Sequence, residues 1–179
     1  GGQENKMQIT GMLWGRKLLD LVEFPHSEVQ GPELSVDEIK DMIKRHGQVF
    51  IKPLFKGGVG KKGKSGLLGR VDNITDALKE KERLYFCEHV DGFNKVKSDG
   101  VTYEGAVPAD YEVYFSITES TEHRSPVMTV THHGGVDIEE LDSDKLAVVP
   151  FDPLTGLKAF HVSNALMDLG APPEVISPL

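Results

Sequence analysis

Residues 49 to 71 read VFIKPLFKGGVGKKGKSGLLGRV, with five lysines (Lys52, Lys56, Lys61, Lys62 and Lys64), no acidic residue, and five glycines between Gly57 and Gly66. Ammonium groups interleaved with glycine backbone suit one task, the holding of an anion. Glycine permits positive φ and close approach, so several amides can point at one phosphate, and lysine supplies the charge. Gly58 to Ser65 satisfies the phosphate-loop pattern GxxxxGK[ST]. That mechanism needs a helix N-terminus directly afterwards. Gly66-Leu67-Leu68-Gly69 would make a poor first turn, so the pattern is rejected here. A strand, a glycine-rich turn lying over a triphosphate, and an antiparallel strand fit better. A solvated flexible hairpin is the bland alternative.

Further along, Leu84-Tyr-Phe-Cys-Glu88-His89-Val90 runs apolar into a carboxylate, as a hinge contacting an adenine amino group would. In Tyr111-Glu112-Val113-Tyr114-Phe115, a strand-borne Glu112 could accept hydrogen bonds from ribose hydroxyls. Taken singly, each glutamate reads more readily as a solvent-facing strand charge, and only together with the loop do they form a nucleotide constellation. His132 and His133 precede Gly134-Gly135-Val136-Asp137, and His and Asp both ligate zinc or iron. Neighbours on a strand point to opposite faces, which argues against a shared metal. Cys87 and Trp14 read as packing residues.

Taken in order, Lys52-Pro53, the glycine-rich hairpin, the Glu88 stretch, Glu112-Val-Tyr-Phe-Ser-Ile and His132-His133-Gly-Gly-Val-Asp-Ile-Glu139 resemble ATP-grasp domains of the acyl-CoA synthetase (NDP-forming) superfamily. The run HHGGVDIEE is most similar to the ATP-citrate lyase branch, and the succinyl-CoA synthetase β chain is also similar. The resemblance runs from about residue 11 to the C-terminus. It implies an ATP-grasp fold and an ATP site built from Lys52, Lys62 and Gly63 at the phosphates. Glu88, His89 and Asp91 would lie at the adenine and Glu112 at the ribose. His89, Asp91 and Lys62 depart from the family's usual residues, which leaves a nucleotide-sensing or assembly domain without turnover as a reading of another class.

The same resemblance implies a reaction in which ATP phosphorylates a histidine on a partner domain or subunit. The phosphate passes to citrate, succinate or malate, and CoA displaces it. Neither that histidine nor the CoA site is expected among these residues. The Mg²⁺ ligands are expected beyond residue 179, so residues 11–179 read as the N-terminal part of an ATP-grasp domain in a longer chain, inactive alone. Residues 1–10 read as a tag or disordered start. The expected setting is an oligomer in the cytoplasm.

The elements that must position these residues follow from periodicity and caps. The whole chain has 179 residues and a formal charge of −8, with 39% hydrophobic and 27% charged residues. That is a globular composition, and its acidity opposes general nucleic-acid binding. One cysteine excludes an internal disulfide, and no apolar run reaches the roughly 20 residues of a transmembrane helix. Helices are predicted over 11–24, over 36–46 behind a Ser35/Glu38 capping box, over 73–83, and over 155–169. Strands are predicted over 49–55, 66–71, 84–90, 111–118, 126–131 and 146–151, with 91–109 a long polar loop. Hairpins beside β-α-β pieces give an α+β or mixed α/β class.

Overall fold

The structure is a computed structural model and describes residues 17–18, 20–21, 26–55 and 66–176. The lysine–glycine loop, with Lys62 and Gly63, lies outside the described residues, as does Trp14. Of the first predicted helix, Lys17, Leu18, Asp20 and Leu21 are helical. The chain divides at Pro108 and Ala109 into two compact units.

In the first unit, strands β1 (Val29–Gln30), β2 (Val49–Phe55), β3 (Gly69–Val71), β4 (Glu88–Asp91) and β5 (Asn94–Gly105) form one antiparallel sheet. Its order is β1-β5-β2-β3, and β4 pairs with the first part of β5. Helix α1 (Val36–His46) starts at the predicted capping box. Ser35 Oγ accepts the Glu38 N–H, and the Glu38 carboxylate accepts the Ser35 N–H. Gly47 ends it at φ +74°. Helix α2 (Ile74–Tyr85) is capped by Asn73, whose side chain accepts the Asp76 N–H.

Alternation along β2 puts Val49 and Ile51 on one face, where they pack with Ile39, Met42, Ala77 and Leu84 of the helices and Val101 and Tyr103 of β5. Burying such a side chain contributes roughly 1.5–3 kcal/mol, so this face fixes the register. Phe50 and Lys52 are thereby turned to the opposite face.

Two expectations are corrected here. The predicted strand over 84–90 is the end of α2 through Tyr85 followed by the short β4, because Leu84 is a fully buried helix position. The predicted loop over 91–109 holds β5, the twelve-residue strand at the centre of the sheet. Its inward positions change phase partway. Phe55 pairs with Ser98 but Pro53 pairs with Val101, an irregularity of one residue that falls beside Gly100 at φ +136°. The bulge shifts the apolar alternation by one place and hides it.

In the second unit, β6 (Tyr114–Ser120), β7 (Ser125–Thr131) and β8 (Ala147–Pro150) form an antiparallel sheet in that order. Short 3-10 turns at Ile138–Glu140 and Ser143–Lys145 link β7 to β8. Helices α3 (Ala159–Asp168) and α4 (Pro173–Ile176) cover Met128 and Val130 with Ala165, Leu166 and Val175. Helix α3 begins at Ala159 and not at Thr155, since Asp152 to Gly156 form a turn closed by the Gly156 N–H on the Asp152 carbonyl. The class is α+β, as predicted.

Candidate functional site

Lys52 sits in mid-β2, opposite Thr102 of β5 and two pairs from the Phe50–Glu104 pair, on the same face. Its Nζ donates to Glu104 Oε2 at 2.5 Å, and Ser27 Oγ donates to Glu104 Oε1 at 2.7 Å. Both charged side chains are partly exposed, 35% for Lys52 and 21% for Glu104. An ammonium carries three donors, so one contact to Glu104 fixes its direction without exhausting it. The strand supplies a lysine of set orientation on the face away from the helices. That arrangement can hold an anion such as a phosphate.

Glu104 carries no signal of its own in the sequence because the polar run leading into it reads as loop. The available signal was its place after the apolar Val101 and Tyr103 at the end of a strand.

Glu88 begins β4, and its carboxylate lies 3.2 Å from Lys97 Nζ. The His89 ring lies tilted by 51° beside that of Phe55, the last residue of β2, with ring centroids 6.0 Å apart. Asp91 ends β4, where Gly92 at φ +59° and Phe93 make the turn into β5. The structure does not bring Glu88 to Lys52. Glu88 pairs with Lys97 and Lys52 with Thr102, five residues further along β5 or roughly 17 Å. The carboxylate brought to Lys52 is that of Glu104.

Glu112 belongs to the second unit. It precedes β6 in irregular backbone and is exposed, so the strand-borne expectation is corrected. Its carbonyl accepts the Gly134 N–H at 2.9 Å. A Cβ on Gly135, at φ +75°, would come within 1.9 Å of Glu112 Oε2. A Cβ on Gly134 would come within 2.7 Å of the Glu112 carbonyl.

His132 and His133 lie just past β7, and their rings stack at 4.2 Å instead of pointing apart. His132 Nε2 donates to the Leu169 carbonyl at 3.3 Å, a packing role. The Mg²⁺ that the resemblance implies is not fitted here. Among the described residues no group of three or more His, Cys, Asp or Glu side chains could hold a metal ion. No helix among them is long and apolar enough to cross a membrane.

No family model matches the chain. Individual proteins do. It is 31% identical over 153 residues to the beta subunit of the ADP-forming succinate–CoA ligase of Desulfatibacillum aliphaticivorans, covering 82% of this chain and 40% of that protein. It is 32% identical over 114 residues to an ADP-forming sulfoacetate-CoA ligase subunit of Bilophila wadsworthia, covering 62% of this chain and 29% of that one. Among solved structures, ATP citrate lyase from Methanothrix soehngenii, in complex with citrate and coenzyme A, matches with a TM-score of 0.50 at 20% identity. That match covers 74% of this chain and 30% of the solved one.

The fold is therefore that of an ATP-grasp region, as the sequence motifs implied. More particularly, the chain is similar in sequence to beta subunits of ADP-forming CoA ligases, proteins of the superfamily that the motifs resemble. It spans about two-fifths of the length of the first of these ligase relatives.

Proposed function

We propose that the chain is the nucleotide-binding region of an ATP-citrate lyase. The whole enzyme would convert ATP, citrate and CoA to acetyl-CoA, oxaloacetate, ADP and phosphate. The observation that carries the nucleotide part is the ammonium of Lys52, held in direction by Glu104 on the sheet face away from the helices. Lys52 neutralises phosphate charge, which is the main protein contribution to phosphoryl transfer. Lys62 and Gly63 add loop contacts, and Glu112 takes the ribose hydroxyls. Glu104, in contact with Lys52, is better placed at the base end than Glu88, His89 and Asp91, whose share would be main-chain contacts. Mg²⁺ shields the triphosphate when bound, and no step here runs through it. The likeness of HHGGVDIEE to the citrate branch and the match to a citrate lyase fold support citrate.

A second reading has its own support, in that the ligase relatives are named for succinate and sulfoacetate. In it the chain serves a succinate-type or related CoA ligase and no lyase step follows. The remaining domains or subunits supply the histidine relay and the CoA site in both readings, in a cytoplasmic oligomer.

The test is CoA-dependent ADP release by the full-length protein with citrate, succinate and malate supplied separately. Citrate alone should support turnover and yield oxaloacetate. Turnover with succinate and no oxaloacetate establishes the second reading, and nucleotide binding without turnover on any acid overturns both in favour of a sensing or assembly domain. Lys52→Ala should weaken ATP binding about tenfold or more, the worth of one charge-assisted hydrogen bond. Lys56→Ala should weaken it less, and equal losses would sink the role of Lys52.

A further inference from the structure

Glu112 and the Gly134-Gly135 turn are built around each other. The turn is anchored before and after the glycines. Thr131, fully buried at the end of β7, donates its hydroxyl to the Lys145 carbonyl at 2.6 Å and accepts the His133 N–H at 3.1 Å. On the other side Asp137 Oδ1 accepts the Glu139 N–H at 3.2 Å and caps the 3-10 turn. Between these anchors the Gly134 N–H holds the Glu112 carbonyl. The space a side chain would fill at either glycine is taken by Glu112, its backbone at Gly134 and its carboxylate at Gly135. Contacts of 1.9 and 2.7 Å are closer than real Cβ atoms show, so only glycine at both places leaves Glu112 where it is.

We propose that the Gly134-Gly135 turn is a specificity-determining seat. It holds the Glu112 carboxylate in the one orientation that reads the ribose 2′-hydroxyl, and so sets the preference for ribo- over 2′-deoxynucleotides. This rests on the ribose assignment of Glu112 made above. Glycine is needed here for clearance as well as for the φ of Gly135. A carboxylate set against the backbone of the turn has less freedom to lose on meeting a ligand, and pre-organisation of that kind favours selectivity. Gly134 and Gly135 are positioning residues, acting through Glu112.

The experiment is calorimetric titration of ATP and 2′-deoxy-ATP against the full-length protein, with thermal midpoints recorded in parallel. Wild type should prefer ATP by about tenfold or more, as one hydrogen bond to a charged acceptor implies. Gly135→Ala should bring the ratio near one while the affinity for 2′-deoxy-ATP changes less than about threefold. Gly134→Ala, whose backbone needs no positive φ, repeats the measurement should Gly135→Ala fail to fold. Retention of the wild-type ratio in a folded glycine variant, or an equal loss of both nucleotides, overturns the seat. A wild type that binds both nucleotides equally overturns the ribose assignment itself, a separate failure.

Discussion

Glu28 is surrounded by donors, and protonating it means breaking into all of them at once. Its carboxylate accepts from both terminal nitrogens of Arg45, from His46 Nε2 and from Gln30 Nε2. Arg45 first, then His46 and Gln30, hold its pKa down to about 2 from 4.5 against the opposing effect of burial. A carboxylate whose folded pKa is depressed contributes stability that is fully present above the unfolded value. That stability is lost as pH falls through the folded one, here between about 4.5 and 2. Glu28→Gln should therefore cost on the order of 2 kcal/mol at pH 7 and almost nothing at pH 2, a gap that urea midpoints across that range would read. A constant gap would refute the account.

Tyr103 poses the opposite case. Its side chain is fully buried, its hydroxyl meets no hydrogen-bond partner among the described residues, and burial pushes its pKa up to about 12. Removing an unsatisfied polar atom at constant shape is neutral or favourable, so Tyr103→Phe should leave the thermal midpoint unchanged or raise stability by up to about 1 kcal/mol. A clear loss would mean the hydroxyl is bonded. At this scale the sequence showed Lys52 as a fixed strand lysine, and it showed neither Glu104 nor the packing of Glu112 on glycine. Those depend on pairings between residues 52 and 104 and between 112 and 135, which no local pattern records.

Among elements, the helices with side-chain caps were the most legible. Ser35 with Glu38 is a local signal three residues apart and formed as read, and Asn73, at the expected start of the next helix, caps it by accepting the Asp76 N–H. The Glu38 pKa is lowered by the Ser35 backbone N–H and then by its hydroxyl, as a box predicts. Ser35→Ala removes half of the box and should cost about 1 kcal/mol in chemical denaturation. A change under a few tenths would show that the packing of Ile39 and Met42 alone sets the helix start. Strand β5 was illegible for the reason given by its bulge. Lys95, Lys97 and Asp99 look like a loop, and the buried Ser98 and Gly100 are out of phase with Val101 and Tyr103. Element ends were misplaced where turns intervene, at Asp152–Gly156 before α3 and at Tyr111–Val113 before β6.

Over the whole chain, the division into two units follows an irregular stretch from Ala106 to Val113 that is exposed from Val107 onward. Such linkers are where proteases cut first. Among the described residues, brief thermolysin digestion should nick this stretch ahead of any strand, leaving products that separate near residue 108. A first cut within β5 would contradict the division. The place of β5 has a further consequence, for the ribosome. The partners of β5, in residues 29–30, 49–55 and 88–91, are all made before it. Until Gly105 emerges, β2 pairs only with β3 and its other edge stays open. At about 5–20 residues per second that edge waits roughly 3–10 seconds, long enough for a neighbouring nascent chain to pair with it.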